Sequence, residues 1–121
     1  MRLLLIEDDL PVAETLRDFL LEQGHQVLLA ADGAEGLRAV VEDEPDAAFV
    51  DVVLPKMSGV ALMERLKGLG RRTPVVAMSG HASEEEARAC LRLGAVDYLP
   101  KPFTLDRVGL VLQILEASLT S

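Results

Sequence analysis

The sequence contains no tryptophan, one tyrosine and one cysteine, and aromatic residues account for only 3% of its 121 positions. Surfaces that stack on nucleic acid bases or sugars use several aromatic rings, so a stacking platform is not expected. The single cysteine, Cys90, excludes an internal disulfide and a metal cluster built from several thiolates of one chain. We expect this thiol in helix packing, and its isolation fits a reducing compartment.

Long apolar runs and an excess of basic charge are also missing. No apolar run approaches the roughly eighteen residues that a membrane span needs, and Leu3 to Ile6 is too short for a signal-peptide core. The 20 acidic residues outnumber the 12 Lys and Arg residues, which gives a formal net charge of -8. The missing apolar runs predict a cytoplasmic domain that does not bind a membrane. Because the acidity repels phosphodiester backbones, we expect no direct binding to nucleic acid, whereas divalent cations are suitable partners.

The hydrophobic pattern predicts one α/β domain. Half of the residues are hydrophobic, as in a folded globular protein of one-domain size. Short apolar runs that do not alternate with polar residues are typical of parallel strands covered by helices on both faces. A segment of helical spacing follows each run, so we predict a doubly wound fold with five strand–helix units. The predicted strands are Arg2 to Ile6, Gln26 to Ala31, Ala47 to Val50, Val75 to Met78 and Tyr98 to Leu99.

Polar side chains are placed to cap several of the predicted helices. Ser58 and Thr104 precede the third and fifth helices as N-cap residues. Ser83 and Glu86 have the spacing of a capping box before the fourth helix. In the last helix, apolar residues at helical spacing predict a core stripe, which consists of Leu105, Val108, Val111, Leu112, Leu115 and Leu119.

Further polar residues follow the predicted strands at their carboxyl ends, where ligands bind in an open parallel sheet. Three adjacent acids repel one another, and a hard divalent cation such as Mg²⁺ is the simplest group that favours them together. A lysine and a serine add hydrogen-bond donors for the oxygens of a phosphoryl group. The pattern therefore predicts a phosphoryl-binding pocket, whereas the second strand ends in a turn pair, Asp32-Gly33. The pocket residues are Glu7, Asp8, Asp9, Asp51, Ser79 and Lys101.

Four segments, in this order along the chain, resemble the receiver domain of two-component response regulators. They are LLLIEDD from Leu3, DVVLPKMSG from Asp51, VVAMSG from Val75 and GAVDYLPKPF from Gly94, and the likeness extends from Arg2 to about Ala117. The resemblance implies a chemotaxis-regulator-like fold with a five-stranded parallel sheet of order 2-1-3-4-5. It also implies a single receiver domain over residues 1–121, with no output domain in this chain.

The resemblance implies a phosphorylated aspartate as the signalling state. Asp51 would accept a phosphoryl group from a phosphohistidine on a sensor histidine kinase or phosphotransfer protein, in a Mg²⁺-dependent reaction of a phosphorelay. Glu7, Asp8, Asp51 and the backbone carbonyl of Val53 would hold Mg²⁺, with Mn²⁺ as an alternative ion. Asp9 would then be a solvated acid and could also cap the first helix. If the alignment with the family motif were shifted by one residue, Asp8 and Asp9 would be the metal ligands in place of Glu7 and Asp8.

Four further residues take roles implied by the same resemblance. Lys101 would contact the phosphoryl group, with the Lys101-Pro102 peptide bond cis. Ser79 would be the switch hydroxyl and Tyr98 the aromatic that swings inward when that hydroxyl is drawn to the phosphate. Val53 and His81 occupy the positions that tune dephosphorylation, and an apolar Val53 cannot orient an attacking water, so we predict moderate to slow autodephosphorylation.

A second face of the last helix carries Leu110, Ile114 and Ala117, away from the predicted core stripe. In receivers the surface of the fourth helix, fifth strand and fifth helix commonly transmits the signal. We therefore expect a phosphorylation-sensitive contact there, with an output domain, an effector protein or a second copy of the chain. Scattered surface apolar residues are the alternative interpretation.

Two other functions of similar folds fit the residues less well. Haloacid-dehalogenase-like phosphatases need an Asp-x-Asp motif, whereas Asp51 is followed by Val52 and Val53. A flavodoxin-like cofactor carrier needs hydroxyls and amides in the first loop, where three acids would repel its phosphate. A receiver that only binds partners would have lost the aspartate or the lysine. We therefore expect a regulatory phospho-acceptor that is an enzyme only in the sense that it assists its own phosphorylation and the hydrolysis of its own phosphoryl group.

Overall fold

A computed structural model gives the positions of residues 1–120, the side chain of Thr120 excepted. Within these residues strands and helices alternate as the hydrophobic pattern predicted, and a 3₁₀ turn at His81–Ser83 precedes the fourth helix. The elements are β1 (Arg2–Ile6), α1 (Leu10–Glu22), β2 (Gln26–Ala30), α2 (Gly33–Asp43), β3 (Ala47–Asp51), α3 (Gly59–Gly68), β4 (Val75–Ser79), α4 (Glu84–Arg92), β5 (Asp97–Pro100) and α5 (Leu105–Thr120).

The strands form one parallel sheet in the order β2-β1-β3-β4-β5, which confirms the expected topology. Successive side chains of a strand point to opposite faces, so each central strand contributes to two cores. Leu4 and Ile6 pack on the side of α2, α3 and α4, whereas Leu3 and Leu5 pack on the side of α1 and α5. Burial on both faces explains why the strands are continuous apolar runs.

The strand register places the carboxyl ends of the central strands at one edge of the sheet. Ile6 pairs with Val50, and Asp51 pairs with Met78 on the next strand. Ser79 in turn pairs with Pro100. The residues at or directly after these positions therefore meet at the edge where a site was expected.

Two of the predicted helix caps are confirmed and one is wrong. Ser58 Oγ accepts a hydrogen bond from the Ala61 N–H, and Thr104 Oγ1 accepts one from the Arg107 N–H, each at 3.2 Å. Ser83 does not cap α4, because its hydroxyl donates to the Gly80 carbonyl at 3.3 Å. That bond closes the 3₁₀ turn, which uses the hydroxyl that a capping box would need.

The core stripe of α5 is shorter than predicted. Val108, Val111, Leu112 and Leu115 are buried, but Leu105 is 45% exposed and Leu119 is 43% exposed. A 16-residue helix is roughly 24 Å long, whereas a five-residue strand spans roughly 17 Å. The first and last turns of α5 therefore extend beyond the sheet that covers its middle. No helix within residues 1–120 combines the length and the apolar character needed to cross a membrane.

Candidate functional site

Three carboxylates meet at the carboxyl edge of the sheet. Glu7 directly follows β1, Asp51 ends β3, and one oxygen from each of these and from Asp8 lies within 4.8 Å of the others. Glu7 and Asp51 are buried and Asp8 is exposed. Asp9 has a different role, because its Oδ1 accepts a hydrogen bond from the Val12 N–H at 3.3 Å and caps α1. Asp9 is also exposed, so the structure confirms both expectations for it, a solvated acid and the cap of the first helix.

Lys101 joins the two buried carboxylates. Its Nζ donates to Glu7 Oε1 and, at 2.6 Å, to Asp51 Oδ2. Lys101 directly follows β5, and its backbone N–H donates to the Ser79 carbonyl at 2.7 Å, so the sheet itself positions the side chain. The Lys101-Pro102 peptide bond is cis, as expected.

The charges of this cluster do not balance. Burial, followed by the hydrogen bond with Asp51, raises the pKa of Glu7 to about 7, although Lys101 acts in the opposite direction. Burial acts to lower the pKa of Lys101, but the hydrogen bonds to Asp51 and Glu7 outweigh it and the pKa is raised. Three carboxylates with one ammonium leave an excess of negative charge, and clustered carboxylate oxygens are the ligands that Mg²⁺ prefers. The residues present therefore fit a divalent cation.

Ser79 supplies an unused donor at the same edge. Its side chain is only 1% exposed, and within the described residues its Oγ has no hydrogen-bond partner. Buried hydroxyls are nearly always paired, so an orphaned one needs an explanation. An oxygen-rich group arriving at this edge would provide the missing acceptor.

Tyr98 lies on β5, half-buried against the core that α4 covers. Together with Glu84, Ala87, Arg88 and Leu91 it lines a cavity of about 250 Å³. The backbone carbonyl of Tyr98 accepts a hydrogen bond from the Arg107 side chain at 3.2 Å. The residue thus contacts both α4 and α5, the two helices of the predicted signalling surface.

Val53 holds the Asp51 carboxylate through its backbone. The Val53 N–H donates to Asp51 Oδ1 at 2.9 Å, while its side chain is 61% exposed. Sequence reasoning had considered the Val53 carbonyl and side chain but missed this amide, because backbone hydrogen bonds leave no signal in residue type. His81, the other residue expected to tune dephosphorylation, projects into solvent with its ring 3.4 Å from the Glu84 carboxylate.

The second face of α5 is exposed, as the helical periodicity predicted. Leu110 is 53% exposed and Ile114 is 40% exposed, and Ala117 lies on the same outward side. The structure confirms the exposure of these residues, while their role in partner binding stays a prediction. Cys90 lies on the buried side of α4, within the core on that face of the sheet, which confirms its packing role.

Comparison with known proteins gives relatives over most of this chain. The response regulator MprA of Mycobacterium tuberculosis (strain ATCC 25177 / H37Ra) is 40% identical over 108 residues, which cover 89% of this chain and 47% of that protein. The response regulator MprA of Mycobacterium leprae (strain TN) is 41% identical over 108 residues, which again cover 89% of this chain and 47% of that protein. The chain thus spans about half the length of these curated relatives.

Solved structures and a family model agree with these relatives. The receiver domain of the Francisella response regulator 1452 superposes with a TM-score of 0.86 at 30% identity and covers 94% of each chain. The receiver domain of NtrX from Brucella abortus gives a TM-score of 0.87 at 32% identity, covering 94% of this chain and 98% of that one. The model of the response regulator receiver domain matches residues 3–113. With the acidic cluster, the lysine and the sheet order in place, the chain belongs to the response regulator receiver domain family of two-component signalling systems.

Proposed function

We propose that this domain is a phospho-accepting switch in which Asp51 takes a phosphoryl group from a phosphohistidine. The observation that carries the proposal is the placement of Lys101 Nζ, which donates to both Asp51 and Glu7 at the carboxyl edge of the sheet. The donor would be a sensor histidine kinase or a phosphotransfer protein. The orphaned hydroxyl of Ser79 at the same edge supports this function, because a phosphoryl oxygen would accept its hydrogen bond.

The transfer needs an oriented carboxylate. Asp51 Oδ1 accepts from the Val53 N–H and Oδ2 accepts from Lys101 Nζ, so both carboxylate oxygens are held before a donor arrives. An oxygen of Asp51 attacks phosphorus, the P–N bond of phosphohistidine breaks, and its electron pair returns to the imidazole. The products are an acyl phosphate on Asp51 and a free histidine on the donor.

An anionic donor approaches an acidic cluster only if charge is neutralised. Glu7, Asp8, Asp51 and the Val53 carbonyl would hold Mg²⁺, or Mn²⁺ in its place. When bound, the cation would offset the negative charge of the phosphoryl oxygens. Lys101 exchanges its carboxylate partner for a phosphoryl oxygen and so retains a charge-assisted hydrogen bond in the product.

The signal then passes to the face formed by α4, β5 and α5. The Ser79 hydroxyl moves to the phosphoryl group, and Tyr98 turns inward from the cavity that it lines together with α4. This change alters the exposed face of Leu110, Ile114 and Ala117, which would bind an output domain, an effector protein or a second copy of the chain. The apolar side chain of Val53 beside the acceptor cannot orient water, which slows hydrolysis of the acyl phosphate.

Intact mass spectrometry after incubation with a small acyl-phosphate donor tests the proposal. We expect one phosphoryl adduct that requires Mg²⁺ and disappears with chelator or with Asp51→Ala. Asp9→Asn is the matched control, because it changes a neighbouring acid outside the cluster and keeps the helix cap. An adduct that persists in Asp51→Ala, or that forms equally well with chelator, would contradict the proposal.

A further inference from the structure

The loop between β3 and α3, residues 52–58, directly follows the proposed acceptor. Two backbone hydrogen bonds shape it, from the Gly59 N–H to the Val52 carbonyl at 3.0 Å and from the Met57 N–H to the Pro55 carbonyl at 2.7 Å. The turn at Pro55 holds Lys56 in the left-handed region at φ 66°, which side chains rarely adopt. A loop in such a conformation needs support from its surroundings.

The turn that begins α2 supplies that support. The Gly33 N–H donates to the Pro55 carbonyl at 3.3 Å, and Asp32 Oδ2 lies 3.4 Å from Lys56 Nζ. The hydrogen bond from the Glu35 N–H, and further the Lys56 ammonium, lower the pKa of Asp32 and keep it ionised. The turn pair Asp32-Gly33, which follows β2, thus contacts the loop after β3, although β2 and β3 are not neighbours in the sheet.

The closest contact requires glycine at position 33. A Cβ built there would lie 2.0 Å from the Met57 carbonyl oxygen and 2.6 Å from Met57 Cβ. Real Cβ atoms do not approach within 3.0 Å, and the neighbour here is backbone rather than the end of a flexible side chain. Any larger residue must therefore displace the loop, or α2 must move away from it.

We infer that Gly33 is a positioning residue that, by this close contact, sets the conformation of the loop after Asp51 and with it the place of the Val53 carbonyl. The expected effect of Gly33 on Mg²⁺ binding rests on the proposed function, in which the Val53 carbonyl is a metal ligand. Residues that hold metal ligands in position commonly change the metal affinity by roughly 10- to 100-fold when they are mutated. Gly33 acts through the loop, which it contacts at Pro55 and Met57.

Gly36 provides a matched control on the same helix. A Cβ at Gly36 would lie 2.4 Å from the Ile6 side chain, and its three nearest neighbours are all atoms of that side chain. Gly33→Ala and Gly36→Ala therefore both overpack a buried contact of α2, but the closest contact of the first is with the backbone of the loop and that of the second is with the Ile6 side chain on β1. The parent protein and both variants also carry Gly68→Ala, which stabilises the folded state. Gly68 is in a helix, and a Cβ added there would have no neighbouring atom within 4 Å.

Amide hydrogen exchange without Mg²⁺ tests the contact itself. In Gly33→Ala we expect the Gly59 amide, which closes the loop on Val52, to exchange roughly tenfold faster than in Gly36→Ala. If Gly33→Ala does not fold, the parent protein is used instead: the Gly33 amide, which donates to the Pro55 carbonyl, and the Gly59 amide should then be similarly protected, and a Gly33 amide that exchanges more than roughly tenfold faster than the Gly59 amide would overturn the inference. Equal Gly59 exchange in the folded variant and its control would overturn the inference.

Mg²⁺ titration followed by NMR tests the consequence for the site. Gly33→Ala should weaken Mg²⁺ binding by roughly tenfold or more, whereas Gly36→Ala should bind as the parent protein does. Equal weakening in both variants would show a general effect of stability and would overturn the positioning role. A parent protein that bound no Mg²⁺ would refute the proposed function, and the exchange experiment would still decide whether Gly33 sets the loop.

Discussion

Replacing Ser79 by alanine should stabilise the unphosphorylated protein and at the same time disable the switch. The Ser79 hydroxyl is buried and has no hydrogen-bond partner in the part of the chain described. A buried polar group without a partner costs about 1–3 kcal/mol. Alanine removes that cost and fills nearly the same space, so we expect Ser79→Ala to raise the free energy of unfolding by about 1 kcal/mol.

Ser83 is the matched control for this change, because it is also a buried serine but its hydroxyl donates to the Gly80 carbonyl at 3.3 Å. Ser83→Ala loses a hydrogen bond and should lower the free energy of unfolding by about 1 kcal/mol. Urea unfolding measures both variants, and with a slope of about 1.5 kcal/mol/M each midpoint moves by roughly 0.7 M. The two shifts should have opposite signs.

Tyr98 gives the functional readout of the same substitution. It is the only tyrosine of a chain without tryptophan, so intrinsic fluorescence reports on this residue alone. Phosphorylation should change that fluorescence in the parent protein and in Ser83→Ala. In Ser79→Ala the phosphoryl adduct should still form but leave the fluorescence unchanged. A Ser79→Ala protein that is less stable than the parent, or that keeps the fluorescence response, would refute the reasoning.

Three further outcomes follow from the site and its surroundings. Val53→Asn places a side chain that can orient water beside Asp51, so the phosphorylated form should decay roughly threefold faster or more. Intact mass spectrometry over time measures this decay, and an unchanged rate would contradict the role of Val53. Leu110→Glu should abolish phosphorylation-dependent self-association or partner binding in sedimentation, whereas Leu119→Glu, on the opposite stripe, should not; equal effects would contradict a specific surface. Burial raises the pKa of the Cys90 thiol to about 11, so it should react with a thiol reagent only in urea, and rapid reaction of the native protein would contradict its packing.

The residues at the carboxyl edge of the sheet could be predicted from the sequence, because the end of each parallel strand is recognisable in it. Each apolar run ended at a polar residue, and parallel pairing brings such ends together whatever the loops do. Glu7, Asp51 and Lys101 were therefore expected at one place, and their contacts agree with it. Local signals also sufficed for the caps at Ser58 and Thr104, whose partners lie only three residues along the chain.

The features that sequence reasoning missed depend on contacts between distant segments or on competing local bonds. Ser83 had the spacing of a cap, but a neighbouring carbonyl takes its hydroxyl. The turn pair Asp32-Gly33 indicated only a change of direction, because its contact with Met57 joins two loops that sequence spacing does not relate. Leu105 was assigned to the core by helical period alone, which carries no information on where the sheet beneath the helix ends.

The measurement that tests phosphoryl transfer most directly is the location of the phosphoryl group. Acyl phosphates are reduced by borohydride, which converts a phosphorylated aspartate into homoserine that peptide mass spectrometry can place in the sequence. After incubation with a phosphohistidine-bearing donor and Mg²⁺, we predict homoserine at position 51 and its loss when chelator replaces Mg²⁺. Homoserine at Asp8 or Asp9 with none at position 51, or no reduction product from folded, Mg²⁺-bound protein, would contradict Asp51 as the phosphoryl acceptor.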